Sequence, residues 1–136
     1  MTFDEVEKAI KRGSVEVLRT ALADDLDPNL ANKYGWTILM VAAMKGDSQI
    51  GRLLIQAGAD INQRNRFLDT ALSLAIHTGH PSFVKLLLSK GASLDFDPHG
   101  KSADVFLDWV EKCSGNPKER VDRIRELINQ ERAARG

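Results

Sequence analysis

One segment has the residue types of a phosphate-binding loop. His99-Gly100-Lys101-Ser102 matches the end of the pattern G-x-x-x-x-G-K-[ST], in which backbone N–H groups and a lysine hold phosphates. The pattern places its first glycine at position 95, where this chain has an aspartate, and no apolar strand precedes it. A carboxylate there would repel phosphate, so we interpret the segment as a turn followed by a helix start.

Two histidines have a spacing that could bind a metal ion. His77 and His80 form H-x-x-H, and a carboxylate such as Asp69 could complete the ligand set. Gly79 and Pro81 flank His80, however, and break the helix that would aim both rings at one ion. We therefore expect no metal and no cofactor, and we place His80 in a turn between helices.

Cys113 is the only cysteine. With His99 it could act as a nucleophile and base, but nothing nearby would activate the thiol. Its spacing from Phe106 and Trp109 places it on an apolar helical stripe, which predicts a buried structural cysteine. One cysteine forms no internal disulfide and no zinc framework, and the N-terminus lacks the features of a signal peptide, so we expect a cytoplasmic protein.

The composition fits a single folded domain without a nucleic-acid or membrane partner. The chain has 136 residues, of which 43% are hydrophobic and 28% charged, so it can bury one core. Nineteen basic residues balance nineteen acidic ones, which leaves no overall positive field to attract nucleic acid or anionic lipid. No apolar run is long enough to cross a membrane.

Residues of similar type recur every 33 positions. Such a period is the mark of a repeat architecture, and it determines fold class before local propensity is considered. Small residues align with small ones, apolar residues with apolar ones, and asparagine with asparagine or aspartate. The sets are Ala9, Ala42, Ala75; Gly13, Gly46, Gly79; Leu22, Ile55, Leu88; and Asn29, Asn62, Asp95.

Within each repeat the apolar spacing predicts two short helices. The first is followed by a break such as Gly46-Asp47, and the second ends near Gly58 in one repeat and Gly91 in the next. Ser48 and Pro81 are predicted start signals of second helices. Near the C-terminus, Asn116-Pro117-Lys118-Glu119 predicts an N-cap asparagine with proline at the first helical position.

These features resemble the ankyrin repeat, whose unit carries G-x-T-P-L-H-x-A-A, then G-H, L-L and G-A-D-x-N. The resemblance implies an all-α solenoid of about four helix pairs with finger loops, in one domain covering 1–136. Residues 32–64 and 65–97 match as repeats, 1–31 as an N-terminal capping unit and 98–136 as a C-terminal one. With a cap at each end, we expect a small stand-alone protein.

Three departures from the family pattern affect the structure. The proline and histidine of T-P-L-H are both absent, so we expect fewer hydrogen bonds between repeats. Leu68 replaces the finger glycine that Gly35 and Gly100 supply, which predicts either a strained positive φ or a reshaped finger. Gly51 stands where Val84 does one repeat later, and a helical glycine costs about 1 kcal/mol in propensity.

Aromatic and basic residues gather at the variable finger positions, which the resemblance assigns to binding. Such residues are common in interface hot spots, although Trp36 and Phe67 could instead pack on neighbouring fingers. The ends of the first helices would extend the same concave face. The predicted protein-binding residues are Lys33, Tyr34, Trp36, Met44, Lys45, Arg64, Arg66, Phe67, Asp69 and His77.

We therefore interpret the chain as a non-catalytic module that binds another protein through its finger loops and concave face, and that is monomeric when free. A small inhibitor or immunity-type protein that neutralises one enzyme is an alternative within this class. A nucleotide-binding protein or enzyme is an alternative of another class, which turnover or a nucleotide-dependent rise in stability would favour.

Overall fold

The computed structural model describes all residues from 1 to 136 and contains eight α-helices and no strand. The helices form four consecutive pairs, so the predicted all-α class is confirmed. Their bounds are α1 Phe3–Lys11, α2 Val15–Ala23, α3 Ile38–Lys45, α4 Ser48–Gln56, α5 Ala71–His77, α6 Pro81–Ser89, α7 Ala103–Cys113 and α8 Lys118–Arg135.

The helices stack in two rows. The first helices pack in the order α1, α3, α5, α7, and the second helices pack in the order α2, α4, α6, α8. Most of these helices span only two or three turns, too few for one pair to enclose an apolar core. Each unit therefore buries its apolar face against its neighbours, and a single cluster of 29 buried hydrophobic residues runs through the stack. This arrangement is the predicted solenoid.

Small residues set how closely the units approach. Ala42 and Ala75, which recur in α3 and α5, are both fully buried. Gly51 in α4 is buried too, and a Cβ added there would lie 2.6 Å from Cε2 of Phe83 in α6. Gly51 thus makes room for the Phe83 ring, a function beyond the propensity cost that the sequence indicates.

Two predicted helix-capping side chains are wrong, although α4 begins at Ser48 as predicted. Asp47 caps α4, because its carboxylate accepts the N–H of Ile50, while the Ser48 hydroxyl is buried without a partner. Helix α8 begins at Lys118, and Asn116 does not cap it. The Asn116 amide donates instead to the carbonyl of His77 at 2.7 Å, a partner two helices away in the preceding unit.

That contact belongs to a series that joins all four units. The Lys45 ammonium donates to the carbonyl of Lys11 at 2.5 Å, and the His80 Nε2 lies 2.9 Å from the carbonyl of Met44. Asn116 makes the equivalent bond to His77. The acceptors, at positions 11, 44 and 77, belong to the last residues of first helices, whose carbonyls lack a partner within the helix. The repeats are therefore linked by side chains of the following unit, although the histidine of T-P-L-H is absent.

The apolar stripe of α7 is only partly buried. Phe106 and Val110 lie in the core, but Trp109 is 47% exposed and Cys113 is exposed, so the prediction of a buried cysteine is wrong. Helix α5 ends at His77, whose ring stacks on Trp109 with centroids 5.3 Å apart. Cys113 is four residues after Trp109, at the last position of α7, and lies outside the core.

Candidate functional site

The three loops that connect the units form fingers with the same hydrogen-bond pattern. In each, one side-chain oxygen accepts the N–H groups two and four residues later, which closes a tight turn. The acceptor–donor sets are Asn32 with Tyr34 and Trp36 (2.9 and 3.0 Å), Asn65 with Phe67 and Asp69 (2.9 and 3.0 Å), and Asp97 with His99 and Lys101 (3.0 and 2.7 Å). We call residues 32–36, 65–69 and 97–101 the fingertips.

Leu68 adopts the left-handed conformation that its place in the finger demands. Its φ is 66°, beside 79° for Gly35 and 71° for Gly100, so of the two predicted alternatives the strained positive φ is the one observed. The second finger is not reshaped, because the N–H of Leu68 reaches the carbonyl of Asn65 at 3.0 Å, as that of Gly35 reaches Asn32. A leucine in this conformation costs about 1–2 kcal/mol relative to a relaxed backbone.

The first two fingertips expose a joined apolar surface. Tyr34 is 44% exposed, Phe67 60% and Leu68 52%. The N–H of Arg66 donates to the carbonyl of Tyr34 at 3.0 Å, which fixes the two tips side by side. Leu68 was not among the predicted binding residues, although its place in a glycine position was the signal that could have identified it.

Two predicted binding residues of the fingers are less accessible than expected. Trp36 is half-buried, and so is Arg64, whose guanidinium donates to the carbonyls of Leu68 and Asp95. Arg64 therefore ties the second finger to the next connecting loop. By contrast, Lys33 and Arg66 are exposed, with the Lys33 ammonium 5.1 Å from the centre of the Tyr34 ring.

A groove lies between the first finger and the first-row helices. Its volume is about 590 Å³, and Met44 and Lys45, at the exposed end of α3, form part of its wall. Four of the predicted binding residues thus share one concavity. The full lining is Glu7, Lys11, Asn32, Tyr34, Trp36, Val41, Met44 and Lys45.

The remaining predicted residues, Asp69 and His77, lie one unit further on. Burial raises the pKa of the Asp69 carboxyl, against the lowering effects of a hydrogen bond from Ser73 and of the nearby charges of His77, His99 and Arg64. His77 is exposed and stacks on Trp109. The structure therefore divides the predicted residues between the groove, the fingertips with the adjoining Arg64, and His77 at the end of α5.

The segments with possible catalytic or ligand chemistry are used for structure. Asp97 accepts the backbone N–H groups of His99 and Lys101, and the Ser102 hydroxyl caps α7 by accepting the N–H of Val105. This is the predicted turn and helix start, and it leaves those N–H groups unavailable to phosphate. No group of three His, Cys, Asp or Glu side chains is arranged to hold a metal ion.

Comparison with known families agrees with the geometry. A sequence model of ankyrin repeats (3 copies) matches residues 8–65, and a second model, of ankyrin repeats (many copies), matches residues 49–88. The chain belongs to the ankyrin-repeat family. Ankyrin repeats are generally protein–protein interaction modules, typically without catalytic activity.

Part of the chain is also similar in sequence to a viral ankyrin repeat protein. A fowlpox virus (strain NVSL) protein of that description is 39% identical over 56 residues, which cover 40% of this chain and 13% of the viral protein. The match thus spans a small part of the relative's length.

None of the eight helices combines the length and apolar character that a membrane-spanning helix needs.

Proposed function

We propose that this ankyrin-repeat chain is a non-catalytic recognition module that binds a partner protein through its fingertips and the adjacent concave groove. The observation that carries the proposal is the exposure of Tyr34 and Phe67 on two fingertips joined by a backbone hydrogen bond. Exposed aromatic side chains on a rigid support are frequent binding hot spots, because they bury much apolar area with little loss of conformational entropy.

The two aromatic residues that could instead stabilise the fingers have different environments. Trp36 is half-buried, as a structural side chain would be, whereas Phe67 is mostly exposed. Truncating Phe67 should therefore leave the melting temperature almost unchanged and weaken partner binding by about 2–4 kcal/mol, as for a hot spot. Truncating Trp36 should lower the melting temperature as well.

The test compares proteins captured from a lysate of the source cells by three immobilised forms of the chain. A Tyr34→Ser/Phe67→Ser variant removes the exposed aromatics. Val17→Ser is the control, because Val17 is as exposed as Tyr34 (44%) and lies on α2 in the other row of helices. Stoichiometric partners should remain on the parent and on the control and disappear from the double variant. Retention by the double variant at equal melting temperature would remove the fingertips from the proposal.

A cytoplasmic location and a monomeric free state stay predictions. Size-exclusion chromatography with light scattering measures the second directly.

A further inference from the structure

The basic residues of the fingers have no acidic partners. Lys33, Arg66 and Lys101 are exposed on successive fingertips, and none of them forms an ion pair. Most basic residues of α8 form ion pairs. Arg125, for example, pairs with Asp108 and Glu111, each at 3.2 Å. The fingertips therefore carry positive charge that the protein itself leaves uncompensated.

The acidic residues of the fingertips are withdrawn from this surface. Asp97 is only 6% exposed, and its carboxylate accepts two backbone N–H groups. Asp69 is half-buried, and burial raises the pKa of its carboxyl. The exposed acids of the same loops precede the fingertips in the chain; they are Asp24, Asp25, Asp27, Asp60 and Asp95. The exposed charge of the tips thus has one sign.

An apolar pair lies within this positive edge. Phe67 and Leu68 follow Arg66 directly and are 60% and 52% exposed. Leu68 has a positive φ in a position where Gly35 and Gly100 form the same turn. The leucine side chain therefore strains the backbone and gains little burial within the chain, as residues that contact a ligand often do.

We infer that the fingertip edge binds an acidic segment of a partner protein, whose carboxylates contact Lys33, Arg66 and Lys101 while an apolar side chain packs on Phe67 and Leu68. The inference rests on the proposed function and specifies the chemistry of the partner. A protein segment fits better than nucleic acid, because the cations are few, the chain has no net charge and an exposed apolar pair lies among them.

The experiment selects ligands from a displayed library of random 12-residue peptides on the immobilised full chain. Selected peptides should be enriched in Asp and Glu beside an aromatic or aliphatic residue. Their affinity, measured by fluorescence anisotropy, should fall severalfold between 50 and 300 mM NaCl, because salt screens exposed charge pairs.

Two charge-reversal variants locate the binding surface. Lys33→Glu/Arg66→Glu should weaken the selected peptides about tenfold or more, since attraction becomes repulsion at two contacts. The matched control is Lys85→Glu/Lys90→Glu, which makes the same change of charge at two exposed, unpaired lysines. Lys85 lies in α6 and Lys90 directly follows it. The control should change affinity less than twofold. Leu68→Gly, which keeps every charge, should weaken binding severalfold without lowering the melting temperature.

The alternative outcomes separate this inference from the proposed function. Peptides without an acidic excess that still lose binding in Tyr34→Ser/Phe67→Ser would overturn the acidic partner and leave the recognition surface intact. Acidic peptides that bind Lys33→Glu/Arg66→Glu at full affinity would overturn both. A 20-nucleotide single-stranded or duplex DNA that binds more tightly and displaces the peptides would also overturn the inference, since the cations would then serve nucleic acid.

Discussion

Replacing Gly51 with alanine tests how the second-row helices pack. The added Cβ would lie 2.6 and 2.7 Å from Cε2 and Cζ of Phe83 and 3.2 Å from Cδ2 of Leu86. Carbon atoms in contact are about 3.5–4.0 Å apart, so the new methyl group overlaps the ring by roughly 1 Å. Phe83 is fully buried, and its ring cannot turn away into solvent.

Two opposite effects determine the change in stability. Alanine favours a helix over glycine by about 1 kcal/mol, whereas overpacking a core costs about 1–3 kcal/mol. We expect the steric cost to be larger, because both closest atoms belong to a rigid ring. Gly51→Ala should therefore lower the free energy of unfolding by up to about 2 kcal/mol, and the melting temperature by several degrees.

Urea denaturation followed by circular dichroism measures this change. The difference between Arg52→Ala and Arg52→Gly, at an exposed position of the same helix, supplies the propensity effect without the clash. Phe83→Leu alone should destabilise the protein by leaving space, and combining it with Gly51→Ala should recover about 1 kcal/mol through favourable coupling. A Gly51→Ala variant that is more stable than the parent by the full propensity difference would refute the packing argument.

Three further changes test other parts of the structure. Ala42→Leu or Ala75→Leu should each lower the free energy of unfolding by about 1–3 kcal/mol through overpacking, and unchanged urea midpoints for both would contradict the repeat register. Leu68→Gly should raise stability by up to about 1 kcal/mol, because relief of strain exceeds the added entropy of the unfolded chain, whereas Leu68→Ala, which keeps a Cβ, should give no such gain. Burial raises the folded-state pKa of Asp69 above its unfolded value, so ionisation of this carboxyl opposes folding as pH rises. Asp69→Asn should therefore be more stable than the parent at pH 7, and thermal melts should show the difference shrinking as the pH falls through the acidic range to about 3; a constant difference would contradict the pKa shift.

The helix caps show where prediction from sequence succeeds and where it fails. Pro81 starts α6 and Ser102 caps α7, as the sequence predicts. Asn116 has the right residue type and position for a cap too, but its amide binds the carbonyl of His77 in the preceding unit. A local capping rule cannot foresee this, because the competing acceptor is 39 residues away in sequence.

Prediction from sequence is limited in the same way for the exposure of fingertip side chains. Trp36 and Phe67 are aromatic residues in neighbouring fingers but at different positions of the turn, because Phe67 is two residues after the acceptor Asn65 and Trp36 is four residues after Asn32. The structure half-buries Trp36 beside the groove and leaves Phe67 mostly exposed. The sequence assigned both residues to the fingers, and only the structure shows that the second position of these two turns is exposed and the fourth half-buried.

The sequence by itself determined the 33-residue period and the helix pairs, and it limited Leu68 to a positive φ or a reshaped finger, since these follow from local spacing and backbone sterics repeated in register. Only the tertiary structure decided that Gly51 accommodates Phe83, that Cys113 is exposed and that the acids of the fingertips turn inward while the cations do not. The physical reason is that burial and pairing depend on which side chains of an adjacent unit come within a few ångströms. The repeated residue types determine that the units stack. The contacts between neighbouring units determine which side chains remain exposed for binding.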